Sequence, residues 1–193
     1  MQWDDIGRLF LHARQARSIA RRYFVTNGFD GALTMLGLMA GFSASDDVAV
    51  PVALTACLGA AIALCMSGLS SAYLSETAER KRELKKLEAA LLADLSESDH
   101  ARAISVVPIM VALVNGLSPL IISVIIITPL WLATQGAQLP FSPFLLATII
   151  ALFLIFLLGV MLGRLSQEFW LLTGLRTLTI GGITVGIIYL FSG

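Results

Sequence analysis

Apolar residues run along this chain in five long blocks, at about 25–45, 48–75, 104–133, 143–163 and 170–192. A helix needs about 20 apolar residues to cross roughly 30 Å of hydrocarbon, and each block is long enough. Transmembrane β-strands would alternate apolar and polar positions over about ten residues, and the run Ile121–Ile127 does not. The first block is the least apolar, since it contains Asp30 and several glycines. The third holds Pro108, Pro119 and Pro129 and is long enough to tilt, bend or break.

Two further segments carry a helical period without being apolar throughout. Residues 4–24 place Ile6, Leu9, Phe10, Ala13, Ala20 and Phe24 on one face and arginines on the other, the pattern of a helix lying in the membrane interface. Residues 76–97 continue the second block as a charged helix with a Leu84, Leu87, Leu91 and Leu95 stripe suited to packing on another helix. Glu79–Arg82 and Glu83–Lys86 pairs at three-residue spacing support an exposed helix there.

Composition agrees with the pattern. Of the 193 residues, 57% are hydrophobic and only 13% are charged, against about a quarter charged in soluble domains. That leaves too little polar surface for a water-soluble globule and excludes disordered and nucleic-acid-binding classes. Six prolines, 16 glycines and two cysteines exclude collagen-like and disulfide-stapled chains. The expected fold is therefore an all-α integral membrane protein. It has five transmembrane helices, an N-terminal interfacial amphipathic helix and a short cytoplasmic helix extending span two. All of it forms a single transmembrane domain over 1–193: an amphipathic segment 1–24, spans one and two over 25–75, the charged helix in 76–103, and spans three to five over 104–193. A charged, amphipathic start with no short apolar core before a small-residue cleavage site argues against a signal peptide.

Net charge is zero, but its placement is one-sided. Arg8, Arg14, Arg17, Arg21 and Arg22 precede span one, and Arg80, Lys81, Arg82, Lys85, Lys86 and Arg102 lie between spans two and three. Arg164 and Arg176 flank the loop between spans four and five, which completes the 13 cations on one side. The other side carries Ser45-Asp46-Asp47 and the uncharged 134–142 linker. Cytoplasmic loops carry the excess of Lys and Arg, so the N-terminus is expected in the cytoplasm and the C-terminus outside or in a lumen. The membrane would be the inner or plasma membrane of a prokaryote, or a vacuole-type membrane otherwise.

Asp30 is the one acid deep in an apolar block. An ionised carboxylate near the bilayer centre costs about 2.5–3.5 kcal/mol on insertion scales, so it needs a partner, a water-filled cavity or an ion path. Asn27, Asp30 and Thr34 stand at i, i+3 and i+7, with Gly37 and Gly41 on the same stripe. An oxygen-rich, backbone-bare face of this kind suits a cation path between helices; the alternative is a structural acid, protonated or capped by neighbouring hydroxyls. Gly28 and Gly31 flank Asp30 and would allow a bend or local unwinding that exposes carbonyl ligands. Soft donors occur at Met35, Met39, Cys57, Cys65 and Met66, which are also ordinary membrane-core residues. Glu76, Glu79 and Glu83 share one face at i, i+3 and i+7, either gathering divalent cations or forming a solvated face balanced by nearby Lys and Arg.

Other features are less specific. Gly37-x-x-x-Gly41, Gly159-x-x-x-Gly163 and Gly182-x-x-x-Gly186 permit close helix contacts within or between subunits. Pro119 cannot donate to the Asn115 carbonyl, which leaves a bendable, partly polar midpoint in span three. Catalysis finds no support: His12 and His100 lie outside the spans, and no phosphate-cradling loop, metal-ligating histidine cluster or nucleotide fingerprint is present. The chain is not expected to be an enzyme.

Arg22-Tyr-Phe-Val-Thr-Asn-Gly-Phe-Asp30-Gly31, followed by Ala40-Gly41, resembles the first span of the vacuolar iron transporter (VIT) family. Cys65-Met66-Ser67-Gly68 and Ser75 running into a charged helix, and Ser118-Pro119-Leu120 with Pro129, are similar to the same family. The resemblance implies a proton-coupled exporter of Fe²⁺ or Mn²⁺, dimeric, with the ion path between subunits and lined by the first spans. The metal would be cargo, with no bound cofactor. The family's membrane-embedded Asp maps to Asp30 and its span-two Met to Met66, or to Cys65 under a one-residue shift. Two departures stand out: Leu69 follows Gly68 where the family often has Gly-Glu, and the cytoplasmic metal-binding region is cut to 76–102. The partners expected are then a divalent metal ion, protons, the lipid bilayer and a second copy of the chain, with no nucleic acid. Two other classes remain open: a non-transporting membrane scaffold recruiting a partner through 76–97, and a transporter of another solute.

Overall fold

The computed structural model describes residues 3–45, 48–92 and 99–192, and the side chains of 20–45, 48–92 and 107–191. Among these it is all helix: α1 (Trp3–Ala44), α2 (Val50–Leu91), α3 (Asp99–Thr134), α4 (Pro143–Leu165) and α5 (Trp170–Ser192). Four helices are long and apolar enough to cross a membrane: α2, α3 from Val107, α4 and α5. By that measure α1 is not one of them. Asp46, Asp47 and the side chains of His12, His100, Arg102 and the amphipathic stretch up to Ile19 lie outside the described residues.

Local chemistry sets the helix ends. Pro51 lies in the first turn of α2, where its missing N–H costs nothing. Ser142 caps α4 by accepting from the Leu145 N–H at 3.2 Å, with Pro143 opening the helix. Gln167 turns left-handed (φ 58°) after α4, and the Glu168 N–H closes on the Gly163 carbonyl at 2.9 Å.

Three expectations are corrected. Residues 4–24 are not a separate helix, because the backbone of α1 runs unbroken through them into the first apolar block. No unwinding occurs at Gly28 or Gly31, and neither glycine exposes carbonyls; both are buried against other helices instead. α2 carries the charged stretch only to Leu91, where Leu92 turns left-handed (φ 50°) and its N–H caps the Glu88 carbonyl; residues 93–97, with Leu95, lie outside the described residues.

α3 is the hub, packing on α1, α2 and α4, while α5 closes against α4 and α1. Ala32, Met35, Leu36 and Met39 of α1, Ala53, Cys57 and Ala61 of α2, Ile126 and Leu130 of α3, and Ala147, Ala151 and Ile155 of α4 form one fully buried core. Met35, Met39 and Cys57 are thereby accounted for as packing.

Glycines set how closely the helices approach. A Cβ on Gly31 would sit 2.6 Å from the Pro119 carbonyl oxygen, so α1 and α3 touch backbone to backbone. α2 and α3 do the same twice: a Cβ on Gly68 would lie 2.9 Å from the Asn115 carbonyl oxygen, and one on Gly116 would lie 2.7 Å from that of Cys65. Pro119 explains one of these contacts. Lacking an N–H, it leaves the Asn115 carbonyl without its helical donor, and that oxygen faces the bare Cα of Gly68, a geometry that suits a weak Cα–H bond. α3 continues as helix through all three prolines.

Of the three Gly-x-x-x-Gly spacings, only Gly159 and Gly163 pack within the subunit, against Gly174, Thr177, Trp170 and Thr173 of α5. Gly41, Gly182 and Gly186 face open space, and Gly37 meets only Ile188 at 3.5 Å.

The expected outcome is that Gly116→Ala lowers stability by about 1–3 kcal/mol through overpacking. Gly59→Ala, which meets nothing within 4 Å, should be neutral or slightly stabilising, since Ala outranks Gly in helices. Thermal unfolding of the purified protein in detergent compares the two.

Candidate functional site

α1 turns Val25, Ala32, Met35, Leu36 and Met39 into the bundle, and this rotation places Asp30 on the outside of the subunit, exposed. Among the described residues no hydrogen bond or ion pair reaches its carboxylate. Thr34, one turn further on, is half-buried and its hydroxyl also makes no hydrogen bond among them. Thr26, Thr55, Thr128, Thr148 and Thr184 each return their hydroxyl to the carbonyl four residues back, whereas Thr34 and the buried Thr77 do not. Asp30 and Thr34 are thus two unpartnered oxygen groups on one stripe, followed by the nearly bare Gly37 and Gly41.

Asn27 belongs to a different arrangement. Its side-chain amide donates to the Tyr23 carbonyl at 2.8 Å and to the Asn115 side-chain oxygen. Asn115 in turn donates to the Gly68 carbonyl at 3.0 Å. One amide relay therefore ties α1 to α3 and α3 to α2, at the level of the Gly68–Gly116 crossing. Both amide donors of Asn27 are taken, one by its own helix and one across to α3, while its side-chain oxygen stays on the stripe with Asp30 and Thr34. The rest of the polar midpoint of α3 is also occupied: Ser118 is buried and donates to the Val114 carbonyl.

On α2, Met66 is 59% exposed, while Cys65 is buried against α3 with its carbonyl under Gly116. Asp30 and Met66 sit on helices that dock mainly on α3 rather than on each other. Leu69 packs against Gly116, so the position where the resemblance would place an acid is committed to the α2–α3 contact.

The acidic face of the charged extension is partly cancelled from within. Arg80 lies 3.7 Å from Glu76 and 3.8 Å from Glu83, between the two, and Glu79 is exposed. Among the described residues no three His, Cys, Asp or Glu side chains come together as a metal-holding group. At the α4–α5 turn, Glu168 pairs with Arg176 at 3.5 Å and Arg164 lies over the Trp170 ring at 5.7 Å.

No family model matches the sequence. The uncharacterized protein MJ0645 of Methanocaldococcus jannaschii is 30% identical over 179 residues, covering 86% of this chain and 85% of that protein. The chain belongs to the MJ0645 family. The match takes in most of both chains.

Interhelical hydrogen bonds of membrane proteins contribute about 0.6 kcal/mol on average and up to about 1.7. Asn115, which serves both ends of the relay, should cost about 1–2 kcal/mol as Asn115→Ala, and Asn27→Ala less. A double-mutant cycle read by thermal unfolding should be non-additive, the double variant being little worse than Asn115→Ala alone.

Proposed function

We propose that the protein is a divalent transition-metal transporter that exports Fe²⁺ or Mn²⁺ from the cytoplasm as a homodimer, along a path lined by α1. The observation that carries this reading is Asp30: an acid on a helix whose apolar face is buried in the bundle, turned outward and without a partner among the described residues. A bare carboxylate against lipid is costly, so a second copy covering that face, with an ion or water between, is the arrangement that removes the cost. α1 then counts as the fifth span despite its lower hydropathy, because it shares one buried core with α2, α3 and α4.

Asp30, with the Thr34 hydroxyl, supplies hard oxygen ligands, and the exposed thioether of Met66 supplies the soft donor that favours a first-row transition ion. Glu79, Glu76 and Glu83 attract the cation electrostatically at the entrance rather than chelating it. Exchange of the metal for a proton on the same carboxylate is the coupling step. The segregated cations put the N-terminus in the cytoplasm. The likeness of the Arg22…Asp30-Gly31 segment to VIT proteins supports the same reading.

A second reading is favoured by the tip of α2, where Leu91 is 61% and Leu92 93% exposed. There the helix recruits a cytoplasmic partner and no ion moves.

Proteoliposomes loaded with a metal-sensitive dye separate the two. Wild type should take up Fe²⁺ or Mn²⁺ at least tenfold faster than Asp30→Ala, and equal rates end the transport reading. For orientation, an impermeant maleimide should label Gln167→Cys only from the cytoplasmic side and Gln135→Cys only from the other. Cys57 and Cys65 are buried and should stay silent.

A further inference from the structure

A cleft of about 160 Å³ opens where α1, α2 and α3 meet, at the end of the bundle from which the charged extension of α2 emerges. Tyr23, Ser71, Ser75, Glu76, Val111 and Asn115 line it, so four of its walls carry side-chain oxygen from α2 and α3 and a fifth is a tyrosine.

Hydroxyls in apolar helices usually fold back on their own backbone. Ser70 does so, donating to the Met66 carbonyl at 2.7 Å. Ser71 and Ser75, one turn apart on the cleft wall, make no such bond among the described residues. Glu76 is only 23% exposed at its side chain, and its ion pair with Arg80, at 3.7 Å, is longer than a hydrogen bond. The Asn115 oxygen accepts from Asn27 and keeps a second lone pair. These are acceptors gathered in one place with their capacity unspent.

The donor set selects the ligand. Oxygen alone, with neither sulfur nor imidazole, suits a hard cation. One carboxylate, already partly compensated by Arg80, supplies at most about one negative charge, which matches a monovalent ion and leaves a divalent one uncompensated. The cleft is open on one side, so an ion held there keeps part of its hydration shell. We infer that this cleft is a binding site for an alkali cation, Na⁺ or K⁺, held by the Glu76 carboxylate, the Ser71 and Ser75 hydroxyls and the Asn115 amide oxygen.

This site goes beyond the transport reading and does not rest on it. Asp30 takes no part, Glu76 is the one residue shared with the entrance face, and the readout is binding rather than flux. Because Asn115 also holds the relay between Asn27 and Gly68, occupancy fastens all three helices at this end, and a ligand that binds only the folded state raises stability.

Chelator-treated protein in detergent is unfolded thermally in NaCl, KCl or choline chloride at constant ionic strength. Wild type should show a saturable rise of several degrees with Na⁺ or K⁺ over choline, and the two salts identify which alkali ion is preferred. The half-saturating concentration should rise at least tenfold in Glu76→Gln and several-fold in Ser75→Ala. Glu168→Gln, an acid removed at the α4–α5 turn, should respond as wild type. Equal midpoints in alkali and choline salts overturn the site. So does a response that survives both cleft variants, or one lost equally in Glu168→Gln. Tighter binding of Mg²⁺ than of Na⁺ and K⁺ overturns the monovalent assignment.

Discussion

Backbone-to-backbone contact at Gly31, Gly68 and Gly116 is the constraint on which the rest of the bundle depends. Between helices in a bilayer the hydrophobic effect offers little, because lipid tails are as apolar as leucine. What remains is close packing and interhelical hydrogen bonding, and both need side chains out of the way. Gly31 brings α1 onto Pro119, and Gly68 and Gly116 bring α2 onto α3. Only at that separation can short amide side chains reach from helix to helix, as Asn27 and Asn115 do.

The same constraint decides what is left outside. Once α1 has turned its buried stripe and Gly31 towards α3, helical geometry carries Asp30 to the outer side, and no rotamer brings it into the core. Once α2 has turned Cys65 and Gly68 towards α3, Met66 points away. Asp30 and Met66 are therefore left over by packing, while the soft donors Met35, Met39 and Cys57 are spent in the core. Pro119 serves both sides of this division: it releases a carbonyl for the α2 contact and shapes the surface on which α1 rests.

Much of this was legible in the sequence. The helical class, the apolar blocks and the isolation of Asp30 follow from pattern alone, because length and hydropathy are local properties. Which glycine meets which helix is not local. Helices apolar on most faces show little periodicity, so nothing in the string distinguishes Gly116, pressed on Cys65, from Gly59, which touches nothing. The Gly-x-x-x-Gly spacing singled out Gly182 and Gly186, which lie open, and passed over Gly31 and Gly68. The tie from Asn27 to α3 is equally non-local, since it depends on Asn115, 88 residues away. Gly28 and Gly31 suggested unwinding, yet a helix keeps its own hydrogen bonds wherever neighbours fit against the bare backbone.

The length of α2 has a mechanical consequence. Its 42 residues make a rod of about 63 Å at 1.5 Å per residue, roughly twice the thickness of the hydrocarbon. It meets the α3 backbone between its ends, at Gly68, leaving an arm of about 35 Å from there to Leu91. A tilt of about 5° about that crossing would carry the far tip through about 3 Å. A displacement too small to break a single buried contact at the crossing is thus enlarged, at the charged tip, to the width of a water molecule.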